Sequence, residues 1–460
     1  MSGRFRRRFW HRPLAPGLSF TGEVHNAGAV RFLADKTWVN DAGDRFSRQH
    51  IFDAVFDMIE RSRRFLLIDM FLYNDFQGKE QETTRLLSGE LTEALVRHRA
   101  RHPDMKIIVI TDPINTVYGS LPSAQFDRLR DADIDVVITD LTRLRDPNPF
   151  YSLFWRAFVR PFGNSTRGWI PSPIGGGRKV TLRSYLAAFN VKANHRKVVI
   201  ADSGDDWCAL VTSANPHDAS SAHTNVAISF TGPAVWDLLQ SENAVLELSG
   251  HDAVEPDMRS SQQAPGTTVQ VLTERAIKIA ALRLIRQCRR NERLRVATFY
   301  LSDRDIIRAL IEARRRRVAL RLLLDPNKDA FGNPKFGIPN RAVAQELHRA
   351  GVDIRWVHTH GEQCHTKMLL REDMSGEAVI LLGSANLTRR NLDNFNLETN
   401  VLVRTQAAAS LFKDAKFHFD LLWNNQPGRV FSVPYEHYRN RSAIKPWLSR
   451  FMEASGFSTF

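Results

Sequence analysis

An α/β architecture of two tandem units is the fold class that this sequence predicts, from three observations. Amphipathic helical stretches alternate with short apolar runs of strand character. Five landmarks recur in the same order in the two halves of the chain. The length of 460 residues gives room for two domains, each with its own core.

The first landmark is "IFDAVFDMIERSRRFLLIDMFLY" (51–73). Ile51, Val55, Phe56 and Ile59 fall at helical spacing and run into a nearly continuous apolar strand. The stretch 281–303 has the same shape. "KIIVITDP" (106–113) is answered by "VALRLLLDP" (318–326), and "RLRDADIDVVITD" (128–140) by "ELHRAGVDIRWVHT" (346–359). "HRKVVIAD" (195–202) is answered by "HTKMLLRED" (365–373), and "LVTSAN" (210–215) by "LLGSAN" (381–386). Tandem units of this kind are expected to set matching features face to face across a pseudo-two-fold axis. The boundaries follow: a basic N-terminal segment (1–44), a first domain (45–250), a polar linker (251–268), a second domain (269–430) and a basic, aromatic tail (431–460).

One difference between the halves is informative. Asp112 and His195 are 83 residues apart, whereas Asp325 and His365 are 40 apart. The excess forms an insertion (141–190) that mixes Phe150, Tyr151, Phe154, Trp155, Phe158, Phe162 and Trp169 with Arg156, Arg160, Arg167, Arg178 and Lys179. Asp146 is its sole acidic residue.

Composition narrows the function classes. Hydrophobic residues at 43% and charged residues at 25% are ordinary for a globular protein, but a net charge of +14 favours polyanionic partners. Nucleic acid, an anionic lipid surface or a phosphorylated substrate all qualify. Cys208, Cys288 and Cys364 form no C-x-x-C pair and are odd in number, which points to a reducing, cytoplasmic setting. The basic start has no apolar core of a secretory signal, and no window reaches the roughly 18–20 apolar residues of a membrane span. Membrane contact is therefore expected to be peripheral, on the inner face of the cell membrane.

The paired motifs carry the chemistry. His195, Lys197 and Asp202 form H-x-K-x4-D, with Ser213 and Asn215 downstream; His365 and Lys367 repeat H-x-K, with Ser384 and Asn386 downstream. A single H-x-K is an ordinary strand end. Two copies, each followed about 18 residues later by S-A-N, resemble the phospholipase D superfamily, over roughly residues 45–430. The resemblance implies two tandem phospholipase D-like α/β domains related by a pseudo-two-fold axis with the active site at their interface, and the chain resembles bacterial cardiolipin synthase-like and phospholipase D-like proteins.

The residue types suit a phosphodiester. One imidazole attacks phosphorus to give a covalent phosphohistidine; the other protonates the departing alkoxide and then activates the incoming hydroxyl. The resemblance implies His195 as nucleophile and His365 as general acid/base, with Asp202 counted among the catalytic residues. Lys197 and Lys367 would clamp nonbridging oxygens, with Ser213, Asn215, Ser384 and Asn386 as neutral donors. No cofactor or metal is called for, since the lysines supply positive charge and no metal-ligand spacing stands out.

The pattern departs from the family in two places. After Lys367 the aspartate position is taken by Glu372, with Asp373 next. The family also holds each histidine with a downstream carboxylate. Glu398 is expected to serve His365, while the first half offers His223 at the aligned position, or nearby Asp218, for His195. "EARRRRVALR" (312–321) is read as a basic helix end, Cys364 as a buried strand neighbour, and His217, His358 and His360 as bearing no chemistry.

The expected function is metal-independent transfer or hydrolysis on a phospholipid at an anionic membrane surface, as in a phosphatidyltransferase or phospholipase D. Crowded aromatics and arginines in the insertion suit the headgroup region. Two alternatives stay open: a nucleic-acid phosphodiesterase of the same superfamily, and a lipid-surface binding protein without catalysis.

Overall fold

In the computed structural model, described residues run from 14 to 455 together with 458, apart from 79, 81, 173–176, 205, 258–264, 331, 332, 336, 441 and 443. The basic run at 4–12, the middle of the linker and the end of the tail lie outside them.

Two sheets share one topology. The first takes β1 (Val30–Ala34), β2 (Phe65–Met70), β3 (Lys106–Thr111), β4 (Asp135–Ile138), β5 (Lys197–Ser203), β6 (Asp206–Thr212) and β7 (Val226–Thr231). Their spatial order is β1-β7-β6-β5-β2-β3-β4. The second takes β8 (Thr268–Thr273), β9 (Arg293–Thr298), β10 (Ala319–Leu324), β11 (Asp353–Val357), β12 (Lys367–Glu372), β13 (Glu377–Gly383) and β14 (Thr399–Gln406). Its order, β8-β14-β13-β12-β9-β10-β11, is the same strand for strand, with His25–Asn26 and Ser432–Pro434 added at its two edges. In each sheet the three consecutive strands β2-β3-β4 or β9-β10-β11 are parallel, and β5 or β12 joins them antiparallel. The tandem duplication expected from the five landmarks is therefore present as a duplicated sheet.

The helices repeat as well. α1 (Ile51–Arg61), α2 (Leu87–Arg101), α3 (Ala124–Asp131) and, beyond the insertion's α4 (Pro149–Phe158) and α5 (Leu182–Ala188), α6 (Ala234–Leu248) belong to the first half. α7 (Arg275–Gln287), α8 (Arg304–Arg315), α9 (Asn340–Arg349) and α10 (Ser410–Asn424) answer them in the second, followed by α11 (Ile444–Ser455). α1 shows how the sequence sets this up: Ile51, Phe52, Val55 and Ile59 line one face and are buried.

Alternation within β5 explains how the sheets meet. Val198 and Ile200 face a core shared with Met368 and Leu370 of β12, whereas Val199 and Ala201 face the outer core under α1 and α2. Both faces are covered, so the run is apolar throughout. α6 packs on β8 of the other half and α10 packs on β1, so each half closes the other's inner face. The chain before residue 45, set apart in the sequence as a basic segment, supplies strands to both sheets: His25–Asn26 to the second and β1 to the first. Its backbone completes two ladders, a role that charge composition does not register.

A buried ion-pair cluster ties the halves behind the histidine motif. The Arg196 guanidinium, inaccessible to solvent, meets Glu242 at 3.1 Å and Glu274 of the second half at 2.8 Å. Glu274 also accepts the backbone N–H of Glu398 at 3.1 Å. Removing the cation strands two buried carboxylates, so Arg196→Met is expected to cost about 3–5 kcal/mol, read as a lowered midpoint in urea unfolding.

Candidate active site

The carboxyl ends of the parallel strands β2, β3, β9 and β10 open toward one cleft of about 290 Å³, a usual ligand position in such sheets. Its floor is assembled from loops held by buried polar groups. Asp112, just after β3, accepts the N–H of Asn194 at 2.7 Å and of Ile114 at 2.7 Å. Asp325, just after β10, accepts the N–H of Cys364 at 2.7 Å and of Asn327 at 2.6 Å. Each aspartate thus fixes the residue preceding a histidine. The Asn194 amide adds bonds to both carboxylate oxygens of Asp69 and to Thr139.

The two histidines converge, with ring centroids 6.3 Å apart at near right angles. Phe71 packs on His195 at 4.7 Å and Phe299 on His365 at 5.1 Å. His195 Nδ1 lies 3.0 Å from the Glu398 carboxylate, which also receives the Ser384 hydroxyl and the Asn391 amide. His365 Nδ1 donates to the Ser213 carbonyl at 2.8 Å, with Asn225 Oδ1 at 3.3 Å. With Nδ1 engaged on both rings, both Nε2 atoms are left for a ligand.

The lysines lie beneath the histidines. Lys197 Nζ donates to the His195 carbonyl at 2.6 Å, and Lys367 Nζ to the His365 carbonyl at 2.8 Å. Each stands about 5 Å from the centre of a phenyl ring, Phe71 or Phe299, as cation–π pairs. Burial lowers Lys197 to about 7, against the pull of Glu398 and other carboxylates. Lys367 is held well below its ordinary value by burial and by Lys197. Burial also lowers His195 to about 4 despite Glu398, and His365 lies well below its ordinary value through burial and both lysines. Burial would raise Glu398, but His195, Lys197 and Ser384 outweigh it and hold the carboxylate ionised. Burial thus favours the uncharged forms of both lysines and both histidines, while Glu398 keeps its charge.

Several expectations are corrected by these positions. Glu398 serves His195 across the domain interface and not His365 of its own half, because Leu397 pairs with the strand segment Ala193–His195. His223 stands beside His365, ring centroids 5.9 Å apart, where its Nδ1 accepts the Gln363 N–H. Asp218 is turned away from His195 and accepts the N–H of Ser88 in α2. Asp202 sits at the far end of β5, accepting the N–H groups of Arg63, Arg64 and Phe65. Glu372 and Asp373 lie at the corresponding end of β12, where Glu372 meets Arg293 at 3.1 Å and Asp373 closes a turn through Ser375. A strand rises about 3.3 Å per residue, so these carboxylates lie far from the cleft.

The serines also differ from expectation. Ser384 holds Glu398, and Ser213 bonds Asn225 while its carbonyl holds His365. Asn215 and Asn386 do line the cleft, and Asn386 Oδ1 is buried without a hydrogen-bond partner. Cys364 is buried in the shared core, its thiol pushed up to about 12 by burial.

Sequence reading missed Phe71, Phe299, Tyr300, Lys335 and Arg390, all of which line the cleft. Phe71 and Phe299 were within reach: each follows directly on a duplicated strand. Lys335 lies between β10 and α9 and Arg390 in the short helix Arg389–Leu392, and the matching segments of the first half carry no lysine or arginine, so the repeat gives no signal for them. Among the described residues, no cluster of side chains suited to a metal ion occurs.

These features describe an α/β protein of two similar halves with a two-histidine cleft between them, similar in fold to phospholipase D-like proteins. Within that class, residues 281–423 match the family model described as "Cardiolipin synthase, PLD-like domain". Over the whole chain the fold is similar to that of a phosphatidylserine synthase from Haemophilus influenzae Rd KW20, with a TM-score of 0.57 at 9% identity, covering 99% of this chain and 98% of that one. A polyphosphate kinase from Porphyromonas gingivalis (TM-score 0.46, 12% identity, 88% of this chain and 52% of that one) is also similar. So is Nuc, a phospholipase D family member from Salmonella typhimurium (TM-score 0.28, 18% identity, 36% of this chain and 97% of that one). No curated protein sequence matches the chain.

The two carboxylates of the first motif and its support separate cleanly by experiment. Glu398→Gln is expected to lower phosphodiester turnover about 100-fold or more, because His195 loses its orienting anion. Asp202→Asn is expected to leave turnover unchanged while lowering stability by about 1–3 kcal/mol, from weakened backbone caps. Steady-state rates and urea unfolding on both variants check this.

Proposed function

We propose that the protein transfers or hydrolyses phospholipid phosphodiesters at a membrane surface through a covalent phosphohistidine on His195. The observation that carries the lipid reading is the apolar surface of the insertion beside the cleft. Phe150, Phe154, Phe158, Phe162, Trp169 and Phe189 are all largely exposed, with Phe158 and Phe162 66% and 72% accessible. Exposed aromatics of this density, next to Arg160 and Arg183, suit insertion at the headgroup boundary of an anionic membrane. Trp447 and Phe451 of α11 add a second exposed aromatic pair, stacked at 5.6 Å. No helix among the described residues is long and apolar enough to cross a membrane.

In the proposed reaction, Lys197 and Lys367 and the amides of Asn215 and Asn386 receive the nonbridging oxygens of the bound phosphodiester. The phosphate's charge brings protons back to the lysines and to His365. His195 Nε2 attacks phosphorus, and the leaving alkoxide takes the proton of His365. His195 is then a phosphorylated imidazolium whose Nδ1–H faces Glu398. His365, now neutral, accepts the proton of an incoming alcohol or water, whose oxygen displaces His195.

Incubation with labelled phosphatidylglycerol, with and without glycerol, tests the reading. Cardiolipin or phosphatidic acid is the expected product, and His195→Ala abolishes both. DNA or RNA cleavage with no lipid product would overturn the lipid assignment, and unaltered turnover in His195→Ala would overturn the mechanism.

The pH dependence follows from the lysine. In the free protein Lys197 loses its proton as pH rises through about 7, removing a cation from the phosphate site. On the acid side His195 must stay neutral to attack, and it is protonated only near 4. Because His365 and Lys367, which must also be protonated, are lowered well below their ordinary values, kcat/KM is expected to be falling already below pH 7 and to fall more steeply above it, as Lys197 loses its proton.

A further inference from the structure

Resting on the phospholipid reading, we propose that Lys335 determines which headgroup the cleft accepts, by holding an anionic group on the alcohol that leaves phosphorus or arrives at it. The aromatic rings set the side of the cleft on which it stands. Phe299 packs on His365 at 5.1 Å, and Lys335 Nζ lies 5.6 Å from the centre of that same ring and 5.2 Å from that of Tyr300. The attacking and departing atoms of a phosphoryl transfer lie roughly in line through phosphorus. With His195 attacking, the alcohol oxygen is on the opposite side, with His365. The headgroup alcohol, and any alcohol that replaces it, therefore occupies the side of the cleft that Lys335 lines.

The loop holds this lysine in place. Asp329–Ala330 pairs antiparallel with Asn333–Pro334, the Lys335 N–H donates to the Lys328 carbonyl at 2.6 Å, and the Gly337 N–H donates to the Asn327 carbonyl at 2.9 Å. Asn327 is anchored in turn by its N–H to Asp325, at the end of β10. The half-buried Lys335 ammonium donates to the Tyr300 hydroxyl, which takes one of its hydrogens and leaves the others for a ligand. Lys328 of the same loop meets Asp329 at 3.6 Å, whereas Lys335 has no carboxylate within ion-pair distance among the described residues. Asp325 lies in its field, but that carboxylate is buried and accepts the N–H groups of Cys364 and Asn327.

The other cations of the cleft have different assignments. Lys197 and Lys367 lie beneath the histidines, where the reacting phosphate is bound in the proposed reaction. Lys192, on the first-half side, meets Asp146 at 2.6 Å and the Leu144 carbonyl at 2.8 Å. Arg390 has the carboxylates of Glu398 and Glu453 in its surroundings. The charge of Lys335 is left for a ligand to balance, at a half-buried position where water screens it incompletely. An ammonium acts as a point charge and takes phosphate and carboxylate oxygens alike. The substrate class is accordingly a phospholipid whose headgroup carries an acidic group beyond the reacting phosphodiester.

Binding of two short-chain lipids tests this, dihexanoyl phosphatidylglycerophosphate against dihexanoyl phosphatidylglycerol, which differ by one phosphate on the headgroup. Used as dispersed monomers, they remove any contribution from a membrane surface. Equilibrium binding is measured on the full chain carrying His195→Ala, so that neither lipid is consumed, and unchanged far-ultraviolet circular dichroism establishes that each variant is folded. The phosphorylated headgroup is expected to bind about tenfold more tightly, and Lys335→Gln is expected to remove most of that preference. Lys335→Arg, which keeps the cation, is expected to retain it. Lys328→Gln removes the same charge from the same loop outside the cleft lining and is expected to leave the preference within about twofold. A preference unchanged by Lys335→Gln, or lowered as much by Lys328→Gln, or binding of neither lipid, would overturn the proposal. Failure of the phospholipid reading itself has a different signature: protein with His195 intact forms no product from either lipid, while the Lys335-dependent preference in binding persists.

Discussion

The bond from His195 to Glu398 is the constraint around which the molecule is organised, because neither half can make it alone. The histidine comes from the first sheet and its carboxylate from the second. Their meeting requires Leu397 to pair with Ala193 and His195, and Thr224 to pair with Gln363, so that short strand segments cross the interface in both directions. Two inner sheet faces must also close on each other, which α6 and α10 accomplish by packing on the opposite half. The buried Arg196 cluster stands directly behind, with Glu274 tying the Glu398 backbone to the guanidinium. A shift of the halves would strand several buried charges at once, so the geometry of the cleft is set by the same contacts that hold the domains.

Much of this was legible in the sequence, and the reason is physical. Buried strands must be apolar and amphipathic helices must repeat at 3.6 residues, so a duplicated sheet leaves a duplicated pattern. The five landmarks correspond to β2, β3, β4, β5 and β6 and to their five partners in the second sheet. The two His/Lys pairs and both asparagines were found by the same route; the histidines and asparagines line one cleft, and the lysines are buried next to them. What the pattern concealed was partnership across the interface. Alignment puts Glu398 and His223 in equivalent rows, but it does not say which histidine each row faces. Swapped pairing between halves has no signature along a single chain. The same holds for Ser213 and Ser384: their spacing places them near the phosphate, whereas their hydroxyls are directed to Asn225 and Glu398. Asp202 was misread for another reason. Its position in the motif is fixed by the length of β5, and it caps the opposite end of that strand.

The departure at His223 acquires meaning only once the partners are known. One imidazole has an anion on its Nδ1 side and the other has a neutral carbonyl, with a neutral histidine nearby. A carboxylate behind Nδ1 stabilises positive charge on the ring and raises the nucleophilicity of Nε2. A carbonyl fixes the tautomer and supplies no such stabilisation, so the proton on that ring is released readily. Both lysines and His223 push in the same direction on His365, favouring loss of its proton.

This electrostatic inequality bears on the division of labour that symmetry alone leaves open. In the proposed reaction the ring that bonds to phosphorus must carry a positive charge through the lifetime of the intermediate. His195 is the ring with a counter-charge to sustain it. The ring that gives and takes a proton needs to be a strong acid when charged and a poor holder of that charge. His365, among two lysines and without a carboxylate, meets that requirement. Loss of an acidic residue from the first half therefore does not by itself argue for loss of catalysis. In the proposed reaction it distinguishes two nearly equivalent histidines, favouring His195 as the nucleophile and His365 as the acid, in the order that the family resemblance implies.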